Sequence, residues 1–279
     1  MTEDNNNLGV SNLSTEAPSN LSRRFGGIAR LYGDVGLERL AQAHVCVVGI
    51  GGVGSWVAEA FARNGVGQIT LIDLDDLCIT NINRQIHALT DTVGQSKVDV
   101  MAERIKQINP ECQVNIVEDF VTLENIRELL TNSIDYVVDA IDSVNVKSAI
   151  IAHCKRNKLP IITIGGAGGQ VDPSKIAIAD LSQTFQDPLL AKVRNQLRRE
   201  YNFSRNVKRK FSIDAIFSSE QLRYPDNEGN VCHAKQSNDG AMRLDCSGGF
   251  GAATHVTACF AFFAVGKAID KFLKRALIN

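Results

Sequence analysis

Short apolar runs alternate with segments of helical hydrophobic spacing along most of this chain. The run HVCVVGI at 44–50 is almost continuously apolar, which is typical of a central parallel strand covered on both faces. Further strand-like runs lie at 68–73, 113–117, 134–140 and 160–164. Because the intervening segments predict helices, the pattern indicates an α/β fold with a Rossmann-like, doubly wound, mostly parallel sheet.

The region after residue 170 has a looser pattern. KIAIAD at 175–180 and FSIDAIF at 211–217 are strand candidates, and an uncharged run occupies 248–266. That run is about long enough to span a bilayer, but its small residues, threonines and His255 make it weakly hydrophobic, which favours a buried helix. Peripheral association with the inner membrane is the alternative. We therefore expect antiparallel strands that extend the sheet, followed by a C-terminal helix.

Composition and charge exclude several classes of protein. The 279 residues are 44% apolar, enough for a sizeable core, and the net charge of −1 gives no global electrostatic reason to bind nucleic acid or membrane. The seven cysteines contain no C-x-x-C pair, so zinc is not expected and the thiols are typical of a reducing compartment. Residues 1–22 are polar, lack the pattern of a secretion signal, and predict a disordered tail on a cytoplasmic protein.

A glycine-rich segment links the first strand of the alternating region to the helix that follows it. Its sequence, GIGGVGS at 49–55, contains Gly49, Gly51, Gly52 and Gly54. Glycines here permit a tight turn and let backbone N–H groups and the helix N-terminus face phosphate oxygens. Asp73 lies 19 residues after Gly54, where dinucleotide enzymes place an acid on the ribose. Taken alone, the segment fits a dinucleotide site, an ATP site or a purely structural turn.

Charged residues beyond Asp73 favour ATP. Asp75 and Asp76 would repel phosphate unless a magnesium ion lay between them, whereas Arg84 and Lys97 supply positive charge. A bound triphosphate needs its β- and γ-charges neutralised, and a nicotinamide cofactor has little need of such a cationic pair. Surface ion pairs are the alternative explanation for these charges.

Two further features lie where later strands end. Asp139 and Asp142 follow the fourth strand at its carboxyl end, where open α/β sheets bind ligands, so Asp142 is the candidate ligand for magnesium. Asp139 has an alternative role as a buried, hydrogen-bonded carboxylate. The glycines of GGAGGQ at 165–170 would leave room for an incoming carboxylate, or they form a simple crossover turn.

Together these motifs carry a resemblance to a known superfamily. GIGGVGS, LIDLDDLCITNINRQIHA, VGQSKV and DAIDS resemble the ubiquitin-activating-enzyme superfamily, which includes the bacterial sulfur-carrier adenylyltransferases. The chain is more similar to one branch, the tRNA threonylcarbamoyladenosine dehydratases. The segments that carry this closer resemblance are RFGGIARLYG at 24–33, NRQIHAL at 83–89, INPEC at 108–112, GGAGGQVDP at 165–173 and CSGGFGAAT at 246–254.

The resemblance implies a role for each motif residue. It places the loop glycines against the phosphates, and Asp73 and Asp75 beside the nucleotide with Asp73 on its ribose. The residues that it implies for contact with polyphosphate or the reacting carboxylate are Asn81, Arg84, Gln85 and Lys97. Asp142 would help to hold Mg²⁺. The residues expected to be catalytic are Arg84, Lys97 and Asp142.

The implied reaction consumes ATP. The threonyl carboxylate of the modified adenosine beside a tRNA anticodon becomes an acyl-adenylate, and the carbamoyl group then cyclises onto it. AMP and pyrophosphate are released and the nucleoside loses one water. Adenylation is needed because a carboxylate oxygen is a poor leaving group until it is joined to AMP, and positioning with charge neutralisation supplies most of the catalysis. The cyclisation is intramolecular, so it requires no protein nucleophile.

A tRNA substrate requires basic surface, and the stretch 192–210 supplies many Lys and Arg residues against a single acid, Glu200. The residues expected to bind tRNA are Arg198, Arg199, Arg205, Lys208, Arg209 and Lys210. A basic helix face that is merely solvated is the alternative. Residues 23–279 would then form one ubiquitin-activating-enzyme-like domain, with a nucleotide-binding half at 44–170 and a half facing substrate and tRNA at 171–279.

The chain departs from its relatives at three points. It lacks the two C-x-x-C pairs through which sulfur-carrier adenylyltransferases often bind zinc. Relatives supply an amino-terminal arginine to the nucleotide, sometimes across a homodimer, at the position of Gly27; Arg24 and Arg30 are the neighbouring substitutes. Relatives that transfer protein tags keep a thioester cysteine. Cys232 and Cys246 are the candidates here, and unreactive thiols are the alternative.

Other functions stay open beside the tRNA dehydratase. One is an adenylyltransferase for the C-terminus of a sulfur-carrier or ubiquitin-like protein, against which the missing cysteine pairs and the basic stretch argue. Another is a binding module that relays sulfur to a protein partner through Cys232 or Cys246. An NAD-dependent dehydrogenase is the third, because the glycine loop and Asp73 also fit a dinucleotide.

Overall fold

A computed structural model describes residues 20–226, 228–233 and 250–275. Two helices come first, α1 (Asn20–Tyr32) and α2 (Asp34–Gln42). They are separated by Gly33, whose φ of +78° is a left-handed conformation that glycine adopts without strain. Most of the proposed amino-terminal tail lies outside the described residues, and α1 begins three residues before the expected start of the folded region at residue 23.

The alternating region forms the elements that its hydrophobic pattern predicts. In chain order they are β1 (His44–Val48), α3 (Gly54–Arg63), β2 (Gln68–Ile72), α4 (Lys97–Ile108), β3 (Gln113–Val117), α5 (Ile126–Leu129), β4 (Tyr136–Asp139), α6 (Val144–Arg156) and β5 (Ile161–Ile164). After these come β6 (Ile176–Asp180), α7 (Pro188–Glu200), β7 (Asp214–Ser218), β8 (Tyr224–Pro225), β9 (Val231–Cys232) and α8 (Thr254–Arg275).

Seven of these strands form one sheet in the order β3-β2-β1-β4-β5-β7-β6. Every neighbouring pair is parallel except β6 with β7, and β8 and β9 form a separate antiparallel hairpin. The register aligns Val48 of β1 with Ile72 of β2 and with Asp139 of β4. The parallel strands therefore end together, and we call the side on which they end the carboxyl edge and the opposite side the amino edge. The predicted mostly parallel α/β fold is confirmed.

Helices cover both faces of the sheet and create two cores. Helices α3, α4 and α8 bury side chains such as Phe61, Met101 and Phe260 on one face. The other face is covered by α5, α6 and α7. Each fully buried large apolar side chain stabilises the fold by about 1.5–3 kcal/mol. Because central strands contact both cores, their sequences are apolar at almost every position.

Helix α8 contains most of the uncharged C-terminal run. Val256, Phe260, Ala261 and Ala264 are buried against the rest of the domain. Across the described ranges, no helix is both long enough and apolar enough to cross a membrane. The predicted C-terminal helix is confirmed, and one of its faces is buried.

Helix α7 connects the two edges of the sheet. It begins at the carboxyl edge, where the side chain of Asp187 accepts hydrogen bonds from Gly166 N and Leu190 N. Its 13 residues correspond to about 20 Å of helix at about 1.5 Å per residue. The chain beyond α7 reaches the amino edge, where the Asp180 carboxylate accepts from the backbone N–H of Phe211 and Ser212 before β7 begins.

Candidate nucleotide-binding site

The glycine loop between β1 and α3 is closed tightly by its own backbone. Gly49 has a φ of +89° and donates its N–H to Ile72 O at 2.9 Å. A Cβ atom on Gly54 would lie 1.7 Å from Gly49 O, so no larger residue fits there. At Gly51, by contrast, a Cβ would meet nothing within 4 Å. Gly54 therefore maintains the turn, whereas Gly51 faces open space in which a phosphate can approach the backbone.

The glycine loop also contacts the turn that follows β4. A Cβ on Gly49 would lie 2.9 Å from Ile141 Cγ2 and 3.2 Å from Ala140 O. Asp142 is the next residue, and its side chain is exposed and makes no ion pair with another described residue. The structure thus brings the predicted metal ligand next to the predicted phosphate loop at the carboxyl edge.

Asp73 joins the end of β2 to the glycine loop. Its Oδ2 accepts from Ile50 N at 2.6 Å and its Oδ1 accepts from Asp75 N at 3.0 Å. A carboxylate offers about four acceptor sites, so capacity is left for hydroxyl donors such as those of a ribose. This position agrees with the role expected of Asp73.

Lys97 begins α4 beside these acids. Its Nζ lies 2.7 Å from Asp75 Oδ2 and 3.9 Å from Asp73 Oδ1. The Lys97 side chain is buried, with 8% exposed, whereas that of Asp75 is 57% exposed. An ion pair, which the sequence left open as an alternative, is therefore present between Asp75 and Lys97. Because an ammonium carries three donors, this pair leaves Lys97 able to contact an anionic ligand as well.

Arg84 packs against the glycine loop. A Cβ on Gly52 would lie 3.2 Å from Arg84 Cγ and Cδ, so the arginine stem packs directly on the loop. Its Nη1 donates to Thr80 O at 2.7 Å, and its carbonyl accepts from Trp56 Nε1 at 3.0 Å. Arg84 forms no ion pair with a described residue. Its charge is accordingly available at the place where phosphates would bind.

Asn81 and Gln85 lie in the same segment and are both buried. Asn81 Oδ1 accepts from Cys78 N at 3.0 Å and thereby holds the turn that carries Arg84. Gln85 Oε1 has no hydrogen-bond partner among the described residues. A buried amide oxygen without a partner costs free energy, so a ligand that donates to it would be stabilised.

Sequence reasoning missed Lys147, which organises the turn before Asp142. Its Nζ donates to Asp139 Oδ1 at 2.9 Å and to Ile141 O at 2.8 Å, and both side chains of the ion pair are fully buried. Thr163 Oγ1 also donates to Asp139, at 2.7 Å. Burial raises the pKa of the Asp139 carboxyl, and the Lys147 ammonium opposes that rise. Asp139 therefore has the structural role that was its alternative explanation.

A signal for this ion pair is present in the sequence of α6. Lys147 precedes Ile150, Ile151 and Cys154 at spacings of three, four and seven residues, which places it on the apolar face of the helix. A charged residue on such a face needs a buried partner of opposite charge. That requirement indicates an acid at the end of a neighbouring strand.

Asp187 explains the glycines after β5. Its Oδ2 accepts from Gly166 N at 3.0 Å, and a Cβ on Gly165 would lie 1.9 Å from the same oxygen. Burial raises the pKa of Asp187. Gly165 is thus required by the close approach of Asp187, and the crossover-turn explanation applies to it.

His87 follows the Arg84 segment and is buried. Neither ring nitrogen has a hydrogen-bond partner among the described residues. Burial, together with the charges of Lys97 and Arg104, lowers the pKa of His87 to about 3. The imidazole is therefore neutral at neutral pH and unsuited to donate a proton as an imidazolium.

The later part of the basic stretch, residues 198–210, lies toward the amino edge, away from this site. The Arg198 guanidinium stacks 5.3 Å from the centre of the Phe211 ring, and Arg199 pairs with Glu200 at 2.6 Å. Of the residues expected to bind tRNA, those that are exposed and form no ion pair with a described residue are Arg205, Lys208, Arg209 and Lys210. All of them follow α7 and lie toward the amino edge, about 20 Å from the carboxyl edge by helix length. The structure does not bring them together with the nucleotide site.

The remaining predicted residues lie apart from the nucleotide loop. Arg24 Nη1 donates to Ile108 O at the end of α4, so Arg24 does not reach the loop of its own protomer. Cys232 is partly exposed in the β8–β9 hairpin, and Cys246 lies outside the described residues. Where the chain is described, no group of three or more His, Cys, Asp or Glu side chains could hold a metal ion.

The residues at the carboxyl edge fit Mg²⁺ bound together with a nucleotide. This ion usually keeps several waters and takes one or two protein carboxylates plus substrate phosphates, rather than a complete protein cage. Asp142 offers one exposed carboxylate beside the phosphate loop, whereas Asp75 is engaged by Lys97. Asp142 is therefore the side chain best placed to hold it.

Comparison with known proteins gives consistent relatives. A model of the ThiF family matches residues 22–278. The chain is 59% identical over 257 residues to the tRNA threonylcarbamoyladenosine dehydratase of Haemophilus influenzae, which covers 92% of this chain and 95% of that protein. It is 56% identical over 254 residues to the Escherichia coli K12 protein of the same name, with 91% and 95% covered.

A crystal structure of E. coli tRNA N6-threonylcarbamoyladenosine dehydratase in complex with ATP has the same fold. Its TM-score is 0.83 at 52% identity, covering 92% of this chain and 97% of that one.

Proposed function

This chain belongs to the ThiF family, in the branch of the tRNA threonylcarbamoyladenosine dehydratases, and we propose that it dehydrates threonylcarbamoyladenosine in tRNA at the expense of ATP. The observation that carries this function is the convergence of one nucleotide-handling set at the carboxyl edge of the sheet. The members of that set are the glycine loop, Asp73, Arg84, Lys97 and Asp142. The chain is an ATP-dependent enzyme, and the E. coli relative has been crystallised with ATP and with AMP.

Each part of the site has a role in binding ATP. The backbone N–H groups of the loop that contains Gly51 and the N-terminus of α3 would hold phosphate oxygens. Asp73 would accept hydrogen bonds from the ribose hydroxyls with the acceptor sites that Ile50 N and Asp75 N leave unused. Gln85 Oε1, buried beside Arg84, is placed to accept from the ligand or from a bound water.

The chemistry has two balanced steps. A carboxylate oxygen of the threonyl group bonds to the α-phosphorus of ATP while the bond between the α-phosphorus and the β-bridging oxygen breaks, and pyrophosphate leaves with that electron pair. The carbamoyl group of the same substituent then attacks the acyl carbon, loses a proton, and AMP departs with the former carboxylate oxygen. The nucleoside has lost the elements of water, and ATP has become AMP and pyrophosphate.

Arg84 and Lys97 neutralise charge in the first step. The Arg84 stem lies on Gly52, so its guanidinium would reach phosphates bound at the loop, and Lys97 would approach them from the first turn of α4. Preorganised charges of this kind stabilise a developing negative charge without reorganising during the reaction. Asp142 would hold Mg²⁺, which supplies Lewis-acid neutralisation of the polyphosphate when bound.

The tRNA-binding surface and the assembly are further parts of the proposal. The exposed cations at 205–210 suit RNA phosphates, and a tRNA long enough to reach both edges of the sheet can contact them while its anticodon loop lies at the carboxyl edge. On this basis 44–170 serves as the nucleotide-binding half and 171–279 as the half that faces tRNA. A tRNA substrate also implies a cytoplasmic location.

A homodimer is supported by an exposed apolar face on α8. Phe262 and Phe263 are 48% and 40% exposed, and the Trp56 ring meets Phe262 edge-on at 6.1 Å. Such a cluster is unusual on a monomer surface and typical of a protein contact. It lies beside the Arg84 segment, because Trp56 Nε1 donates to Arg84 O, so a second copy here would also approach the nucleotide site.

The test follows the nucleoside directly. Purified protein is incubated with ATP, magnesium and tRNA bearing threonylcarbamoyladenosine, and the digested nucleosides are weighed by mass spectrometry. We expect loss of one water. Arg84→Ala and Asp142→Ala should slow it by about 100-fold or more, because each removes a charge that stabilises the transition state. Arg127→Ala, an exposed arginine on α5, is the charge-matched control and should react at the normal rate.

A different outcome would support another function for this chain. If the nucleoside mass does not change, and ATP–pyrophosphate exchange occurs only when a sulfur-carrier or ubiquitin-like protein is added, the chain adenylates a protein tail instead.

A further inference from the structure

A cavity at the carboxyl edge is lined by none of the residues of the nucleotide-handling set. It lies between the start of α7, the segment after β7 and the β8–β9 hairpin, with a volume of about 390 Å³. The side chains that matter for its chemistry are those of Asp187, Arg194, Glu220, Gln221, Tyr224 and His233. Its volume falls within the range of about 300–1,000 Å³ that small-molecule sites occupy.

We propose that this cavity receives the modified adenosine after it has turned out of the anticodon loop, so that its threonylcarbamoyl arm points toward the ATP site. The proposal rests on the function proposed above and adds the place where the nucleoside base binds. Enzymes that act on a base take it out of its stack and hold it in a pocket, and a pocket of this kind is needed beside the nucleotide.

The cavity is at a suitable distance from the phosphates. Strand β4, which ends beside Asp142, is separated from β7 by β5 alone, so two strand spacings of about 4.8 Å give about 10 Å between their ends. Four bonds join the base nitrogen to the carboxyl carbon of the threonylcarbamoyl arm, which spans about 5 Å when extended. Half the width of a purine adds to this length. A nucleoside whose base lies at the mouth of the cavity would therefore place the carboxylate of its threonylcarbamoyl arm near the end of β4.

Hydrogen bonds and one electrostatic interaction, that between Asp187 and Lys147, link the cavity wall to the turn that carries Asp142. Asp187, in the wall, accepts from Gly166 N, and its carboxylate lies within electrostatic range of Lys147. Lys147 in turn holds Ile141 O and Asp139. The base pocket and the turn before Asp142 therefore both lie near the same buried ammonium.

The charges of the cavity suit a neutral base rather than a phosphate. The Glu220 carboxylate lies 3.9 Å from Arg223 and accepts from Asp172 N at 2.8 Å, and Asp187 is engaged by two backbone N–H groups. The two acids offset Arg194 and Arg223, which leaves little net charge to attract an anion. We therefore assign the cavity to a purine ring and not to a second nucleotide phosphate.

The recognition groups are of the types that bind bases. Tyr224 presents an aromatic ring held against Phe250, with ring centres 5.1 Å apart, and every base has a face that can stack on such a ring. The exposed amide of Gln221 can both donate to and accept from a base edge. Arg194 uses one of its five N–H donors on Thr184 Oγ1, so its remaining donors can reach acceptors of the purine.

Helix α7 connects this cavity to the basic stretch. Arg194 lies one turn before Arg198 on the same side of the helix, and the two charges influence each other. The cations at 198–210 lie toward the amino edge and cannot deliver the base to ATP. A tRNA that follows α7 would contact the cations at 198–210 with its backbone and place one nucleoside in the cavity.

The experiment measures the reaction of modified tRNA, and the binding of two tRNAs: the modified one and one with an abasic site in place of the modified nucleoside. We expect the wild-type protein to bind the modified tRNA more tightly than the abasic one. Tyr224→Leu and Gln221→Ala should raise the KM for modified tRNA, about tenfold for Tyr224→Leu, and should reduce the preference for modified over abasic tRNA by the same factor. The rise in melting temperature produced by ATP should stay as in the wild type.

Two control variants separate this site from others. Arg209→Ala, in the basic stretch, should weaken both tRNAs equally and reduce the salt dependence of binding. Gln107→Ala, an exposed glutamine near the end of α4, should leave KM unchanged. Gln221 is exposed, so Gln221→Ala keeps the proposal testable should Tyr224→Leu disturb the hairpin.

The outcomes distinguish a failure of the pocket proposal from a failure of the proposed function. If both pocket variants dehydrate modified tRNA with the wild-type KM and keep the preference for it, the base binds elsewhere and the pocket proposal is wrong, while the proposed function stands. If the wild-type protein dehydrates nothing, the proposed function is wrong. Loss of the preference in the pocket variants would then still support a base-binding cavity, because that readout needs no turnover.

Discussion

The buried ion pair between Lys147 and Asp139 predicts a large stability change at a site next to the chemistry. Both side chains are 0% exposed, and Nζ lies 2.9 Å from Oδ1. At that distance two unit charges attract by about 6 kcal/mol for an effective dielectric constant of about 20. Desolvation offsets much of this attraction, so the informative perturbation is removal of one partner. Lys147→Met removes the ammonium and keeps a side chain of similar length.

We expect Lys147→Met to lower the free energy of unfolding by about 3–5 kcal/mol, the usual cost of leaving one buried charge without its partner. At about 2–4 °C per kcal/mol for a domain of this size, the melting temperature should fall by roughly 10 °C. Lys155→Met, an exposed lysine on the same helix, is the matched control and should change stability by less than about 0.5 kcal/mol.

The pH dependence of the same variant gives a second, independent test. Burial raises the pKa of Asp139, and without Lys147 nothing of comparable strength opposes that rise. A carboxyl group whose pKa is raised by folding stabilises the folded state below its unfolded pKa, and this contribution is lost as the pH rises through the folded pKa. The loss in free energy of unfolding caused by Lys147→Met should therefore be larger at pH 8 than at pH 5.

The assay is urea denaturation of wild type, Lys147→Met and Lys155→Met at both pH values, with Asp139→Asn combined with Lys147→Met as a fourth protein. The double variant should recover part of the lost stability at pH 8, because it no longer buries an unpaired carboxylate. A deficit below about 1 kcal/mol, or one that grows toward acid pH, would refute the assignment of a buried charged pair.

Three further predictions concern other parts of the site. Folding lowers the pKa of His87 from 6.5 to about 3, so the unfolded chain takes up a proton that the folded chain does not, and the free energy of unfolding should fall by about 2 kcal/mol from pH 8 to pH 5. Denaturant titrations of His87→Gln should lack this fall, and the same pH dependence of unfolding in both proteins would contradict the prediction. Gly51→Ala should keep the wild-type melting temperature but lose the stabilisation by ATP, because its added Cβ would fill only open space. Gly54→Ala should melt at a lower temperature even without ATP, because its added Cβ would clash with the backbone oxygen of Gly49. Cys232→Ser should dehydrate modified tRNA at the wild-type rate, and a loss of activity would favour a sulfur-relay role.

The sequence was sufficient to predict the central strands because of where they lie. β1 and β4 contact helices on both faces, so their residues are apolar at almost every position and stand out from the polar loops. β3 was predicted with the same boundaries, 113–117, although it lies at the edge of the sheet and is only partly buried. Here the strand-like pattern of 113–117 and its place in the alternating series carried the prediction.

Pairwise contacts were harder to predict than the elements. Asp75 and Lys97 are 22 residues apart, and nothing in their spacing shows that one begins a helix directly over the other. Composition likewise identified the basic stretch but not its position, because the direction of α7 depends on the capping of its first turn by Asp187, a contact with the loop after β5. The sequence shows which residues are charged, and only the topology of the fold shows at which edge of the sheet they lie.

The location of the nucleotide site follows from that topology. β1 and β4 are neighbours in the sheet, yet α3 after β1 packs on one face and α6 after β4 packs on the other. Chains that leave neighbouring strands toward opposite faces open a crevice at the carboxyl edge, which is where doubly wound folds bind ligands. The glycine loop and the turn before Asp142 form its two walls, in contact between Gly49 and Ile141. We therefore expect two motifs about ninety residues apart to act on one ligand, because Lys147 fixes one wall of the crevice and Gly54 closes the other.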